Sequence, residues 1–178
     1  MIVSDVGVLE MDRLAAEGVL NGLLVGACLD SFNVSNISVT LRFISSAVIP
    51  GRSVYVDCAF SCEAFIADAG VGDHKAGSGN FFTERAVFIA RIFCCIGKAV
   101  DSIGLEEDGR LCLSIGDEVV VLCVSIEDDG QDESAWGVVV EESAGYLRPE
   151  TYSLACVLSD SGVSFVAEVD RPDFRRHS

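Results

Sequence analysis

Apolar and polar residues alternate most regularly in the middle of the chain, where Leu111, Leu113 and Ile115 interleave with Arg110, Cys112 and Ser114. A second apolar run, Val119 to Val124, follows Gly116-Asp117-Glu118. A period of two is that of a half-buried strand, so residues 101–142 predict a meander with its acids in the turns. The same alternation occurs earlier. Ile37, Val39, Leu41 and Phe43 interleave with Ser38, Thr40 and Arg42, and after Pro50-Gly51 so do Val54, Val56, Cys58 and Phe60 with Tyr55, Asp57 and Ala59. A strand over Ala27 to Val34 precedes these two, with Asn33 to Asn36 as the intervening turn. Trp136 to Val140 predicts another strand, Gly145 to Pro149 a turn, and residues 152–169 a closing hairpin around Asp160-Ser161-Gly162.

Helical signals are fewer. Val6, Leu9, Met11, Leu14 and Ala15 fit a helical stripe loosely over Met1 to Gly18. Thr83 is a plausible N-cap with Glu84 in the first turn, and Ala86 to Ile96 follows as a helix apolar nearly all round, which predicts burial. Between them, residues 67–80 carry Gly70, Gly72, Gly77 and Gly79 and read as a connection. Their spacing matches neither of the phosphate-cradling patterns, GxGxxG and GxxxxGK[ST].

The chain echoes itself. Gly26-Ala27-Cys28-Leu29-Asp30-Ser31-Phe32 aligns with Gly97-Lys98-Ala99-Val100-Asp101-Ser102-Ile103, each after three apolar residues. Val39, Leu41 and Phe43 then match Leu111, Leu113 and Ile115, and Val54, Val56 and Cys58 match Val119, Val121 and Cys123. The expected architecture is a single α+β domain over residues 1–178, with an internal repeat over about 20–62 and 90–125. It is mostly antiparallel sheet: two similar three-stranded meanders plus a C-terminal hairpin, with one or two packed helices.

Composition narrows the function. The chain has 178 residues and a formal charge of −16. Residues 101–142 hold thirteen acids against the single base Arg110, which is −12 of that total. Mean hydropathy is high, +0.43, yet no uncharged apolar run reaches the roughly 18 residues of a membrane span. With no basic segment ahead of an apolar one near the N-terminus, a cytoplasmic protein is expected, with no membrane partner. Eight cysteines in such a chain are expected to be reduced, most of them as small hydrophobic strand residues. Neither Cys58-x-x-x-Cys62 nor Cys94-Cys95 has zinc-knuckle spacing, so no metal is expected. Nucleic acid is disfavoured, because phosphate binding needs a basic patch.

Catalytic patterns are poorly supplied. There is no GxSxG, and His74 and His177 are the only histidines. The run Glu127-Asp128-Asp129-Gly130-Gln131-Asp132-Glu133 lacks the ordered calcium-loop spacing. The acids therefore serve solubility or a cationic partner. As a docking surface, Asp117, Glu118, Glu127, Asp128, Asp129, Asp132 and Glu133 would supply the charge, and Trp136 either an anchor or a core residue.

Ile96-Gly97 with Val100, Asp108-Gly109-Arg110-Leu111-Cys112-Leu113, Gly116-Asp117, the Val119 to Val124 strand and Glu133-x-x-Trp136 together resemble small bacterial proteins. Some of those lie beside polymorphic toxins as immunity proteins, including those of contact-dependent growth inhibition. The resemblance covers residues 90–140 and, more faintly, 20–60. It implies a non-catalytic cytoplasmic protein that needs no cofactor and neutralises a toxin domain, often a basic nuclease, by direct binding. Two other readings stand beside it: a carboxylate-based enzyme or metal-dependent domain using residues 127–133, and a subunit of a larger assembly.

Overall fold

The computed structural model describes residues 5–35, 38–44, 52–59, 64–68, 81–122, 134–142, 151–159 and 162–171. Strand β1 (Asp5–Met11) and helix α1 (Arg13–Leu24) lead into β2 (Cys28–Val34), β3 (Ser38–Ile44) and β4 (Arg52–Ala59). Strand β5 (Ala64–Asp68) and helix α2 (Phe81–Phe93) lead into β6 (Val100–Leu105), β7 (Leu111–Ile115) and β8 (Glu118–Leu122). β9 (Ser134–Glu142), β10 (Thr151–Ser159) and β11 (Gly162–Arg171) complete the chain. All named pairings are antiparallel, in a seven-stranded sheet ordered β1-β11-β10-β9-β4-β3-β2 and a four-stranded sheet ordered β5-β8-β7-β6.

Register explains the core. Leu41, Val56, Val138, Leu154 and Ala167 lie in one row across the large sheet, beside a second row with Phe43, Val54 and Val140. All are buried, and they form one cluster with Leu111, Leu113 and Ile115 of β7 and with Ala16, Leu20 and Leu24 of α1. The α+β class and the two meanders are therefore as the alternation predicts.

The two meanders share local detail. Each follows a helix and a glycine in the left-handed region, Gly26 at φ 80° and Gly97 at φ 81°. Each has a register shift at its Asp–Ser pair, between Leu29 and Ser31 in one and between Val100 and Ser102 in the other. They also meet. Gly26 N–H donates to the Val100 carbonyl at 2.9 Å, and the matching Gly97 N–H donates to the Leu29 carbonyl at 2.7 Å. Val100 N–H donates to the Ala27 carbonyl at 2.9 Å, and Leu29 N–H to the Lys98 carbonyl at 3.0 Å. Under the alignment of Gly26 with Gly97, these four bonds are two equivalent pairs. They join β2 and β6, an edge of each sheet.

Three features depart from the sequence reading. Residues 5–11 form a strand, not the start of a helix, because every residue from Asp5 to Met11 pairs with β11 and the helix begins only after the Asp12 cap. That cap accepts from Ala15 N–H at 2.8 Å. Strand β5, whose last two residues, Ala67 and Asp68, open the stretch read as a connection, pairs with β8 along its length. The third departure is burial of the second helix: α2 spans Phe81–Phe93, with Phe88 and Ile92 buried but Val87, Ile89 and Phe93 exposed. The glycines at 70–79, the turns at 145–149 and 160–161 and the tail beyond 171 lie outside the described residues.

Candidate partner-binding surface

The site begins with a five-residue turn. Glu106 N–H donates to the Arg110 carbonyl at 2.9 Å and Gly109 N–H to the Glu106 carbonyl at 3.1 Å, closing Glu106 to Arg110 between β6 and β7. Gly109 takes φ 84°, a conformation other residues rarely adopt. The Asp108 carboxylate accepts from Arg110 N–H at 3.1 Å and from its guanidinium at 3.0 Å. Glu106, Glu107 and Asp108 are exposed, so the turn presents three carboxylates with one guanidinium folded against them.

Trp136 anchors this turn from below. It is 1% exposed and packs against Phe165 with ring centroids 6.2 Å apart. Its indole N–H donates to the Gly109 carbonyl at 2.8 Å. A buried indole needs such an acceptor, and here the acceptor belongs to the acidic turn. Trp136 is therefore a core residue, which corrects its reading as an interface anchor: a side chain with 1% of its area exposed has no surface to offer.

Other candidates fall elsewhere. Asp117 is exposed in the turn between β7 and β8, close to Asp101, whose carboxylate accepts from Gly116 N–H at 2.9 Å. Glu118 is half-buried and ion-paired with Arg91 of α2, so its charge is already met within the fold. The five residues of β7 separate this turn from the Gly109 turn by roughly 17 Å. Asp117 and Glu118 are thus not brought together with Trp136. Glu127, Asp128, Asp129, Asp132 and Glu133 lie outside the described residues. The chain resumes at Ser134, two residues before Trp136, whose indole reaches the Gly109 carbonyl of the Glu106–Arg110 turn. Sequence reasoning did not single out that turn, although its Asp108-Gly109 step was the signal available.

Burial raises thiol pKa values near these acids. Cys156 is pushed up to about 12, first by desolvation and then by the Asp108 carboxylate. Cys112 is raised by desolvation and by Glu106, and Cys95 by desolvation and by Glu118. Cys28, Cys94, Cys95, Cys112 and Cys156 are free thiols. Among the described residues, no charged or polar residue is buried and no group of three or more His, Cys, Asp or Glu could hold a metal ion. No helix among them is long and apolar enough to cross a membrane. What the described surface offers at this turn is exposed negative charge on a hydrogen-bonded backbone.

Comparison with protein-family models, with curated proteins and with solved structures finds no match.

Proposed function

We propose that the chain is a non-catalytic acidic binding protein that docks a cationic protein, and, by the resemblance over residues 90–140, an immunity protein that neutralises a bacterial toxin. The observation that carries this reading is the turn Glu106-Glu107-Asp108, exposed yet tied to the core through the Trp136–Gly109 hydrogen bond. A turn backbone already held by hydrogen bonds loses little freedom on binding, so the attraction of its carboxylates for a basic surface is less offset by ordering cost. Asp117 and the acids at 127–133 add to the same sign of field. No nucleic acid, membrane or cofactor enters the proposal.

The test is to isolate the protein bound to this chain in its native host and titrate that partner's activity or toxicity with the purified chain. Loss of activity at one-to-one stoichiometry with a basic partner is the expected result. An acidic partner, or activity untouched by saturating chain, would contradict the reading.

A further inference from the structure

The large sheet has two faces, and the core covers one of them. Its inward rows hold Val54, Val56, Val138, Val140 and Leu154, buried with β7 and α1. Side chains alternate across a strand, so their neighbours point the other way. On that outer face one row runs from Glu10 through Val166, Ala155 and Gly137 to Asp57, and the next from Glu168 through Ser153 and Val139 to Tyr55 and Arg42. The middle of the face is open. A Cβ added at Gly137, on the central strand β9, would meet only the Leu154 carbonyl oxygen of the neighbouring strand within 4 Å, at 3.9 Å, so no described segment lies over it.

Charge on this face is one-sided. Its register positions carry Glu10, Asp57, Glu141, Glu168 and Asp170 against one base, Arg42. Glu10, Glu141 and Glu168 are exposed, and none of the three is ion-paired among the described residues. Between them lie Ser153, Val139, Ala155, Gly137 and Val166, half-buried and without charge. Arg42 shows how a cation sits here: its guanidinium lies over the Tyr55 ring, 5.9 Å from the centroid, and donates to the Asp30 carboxylate at 3.2 Å and the Ser53 hydroxyl at 3.3 Å.

We infer that this face seats the arginine- and lysine-bearing surface of a cationic protein, with the stems of those side chains on Val139, Ala155 and Val166 and their charged heads on Glu10, Glu141 and Glu168. Arg and Lys lay their methylene stems on apolar surface and keep the charge at its edge, which is the pattern this face matches. A second copy of the chain brings the same acids and is repelled, as is an anionic surface. The inference rests on the reading of the chain as a binder of cationic protein, and it supplies the contact area that a five-residue turn lacks. Seven strands about 4.8 Å apart, paired over seven residues of about 3.4 Å each, give about 700 Å² of projected face. A standard interface takes about 800 Å² from each partner.

The test is a titration of the full chain with a deca-arginine peptide at 0.1 M salt, followed by the NMR signals of the valine methyl groups and the backbone amides. Wild type is compared with Glu141→Gln/Glu168→Gln, two exposed positions, after circular dichroism has shown the variant folded. The methyl signals of outward Val139 and Val166 should shift and saturate while those of inward Val138 and Val140 stay, and the variant should bind at least about fivefold more weakly. Shifts confined to Glu106–Asp108, Asp117 or residues 127–133 would overturn this inference and leave the cationic-partner reading standing. Shifts on the face with undiminished affinity in the variant would overturn it too, because the rim acids would then hold nothing. A peptide that binds nowhere would overturn both.

Discussion

Trp136 donates to Gly109 from within the core, so Trp136→Phe keeps most of the packing but leaves a buried carbonyl without its donor. An unsatisfied buried group costs about 1–3 kcal/mol, and the urea midpoint should fall by the corresponding amount. The thiols test burial differently. A thiol-reactive aromatic disulfide should modify exposed Cys94 in the native protein, and buried Cys95 and Cys156 only after denaturant is added. The raised pKa of Cys156 also has a sign. Above pH 9 the unfolded thiol ionises while the folded one stays protonated up to about 12, so the folded state binds the extra proton. Stability is therefore intact below pH 9 and should fall between pH 9 and 12, by at most about 1.4 kcal/mol per pH unit from this residue. Thermal unfolding of wild type and Cys156→Ala over that range would show the difference in slope.

Glycines separate the elements by conformation. Gly26 and Gly97 hold equivalent left-handed positions with open space around them, so alanine at either is opposed by the backbone alone, at about 1–2 kcal/mol. Gly22 lies inside α1 with equally open space, and alanine there should stabilise the fold by up to about 1 kcal/mol. Chemical denaturation of the three variants should give two losses of similar size and one gain. The meanders were legible in the sequence because Leu111, Leu113 and Ile115, like Val39, Leu41 and Phe43, each bury one side of a strand and alternate accordingly. β1 was not: Val8 and Leu9 point to opposite faces and are both exposed at a sheet edge, so no alternation betrays the strand. α2 was misread on burial for a related reason. Its apolar residues cover the whole circumference, and composition says nothing about which side another part of the chain covers. Of the acidic site, the turn position of Asp117 was legible, but the Trp136–Gly109 contact that supports the Glu106–Arg110 turn joins residues 27 apart in sequence and follows only from the packing of the two sheets.

At the scale of the whole molecule, charge and apolar surface occupy different places. The exposed residues of α1 and, from Ala86 onward, of α2 carry no charge, while Glu106, Glu107, Asp108 and Asp117 project from the turns of the small sheet. A protein of net charge −16 with carboxylates on a rigid turn should attract a cationic partner from a distance set by salt, roughly 10 Å at 0.1 M and 3 Å at 1 M. Replacing Glu106 and Glu107 by Gln and Asp108 by Asn leaves the Trp136–Gly109 contact in place. Exposed changes of this kind usually alter stability by no more than about 0.5 kcal/mol each. The decisive measurement is the association rate with the native partner, for wild type and this triple variant, at 0.1 M and 1 M salt. The rate should fall at least tenfold on neutralisation at low salt and converge with that of wild type at high salt; equal rates in all four measurements would mean that the acids keep the protein in solution and do not bind its partner.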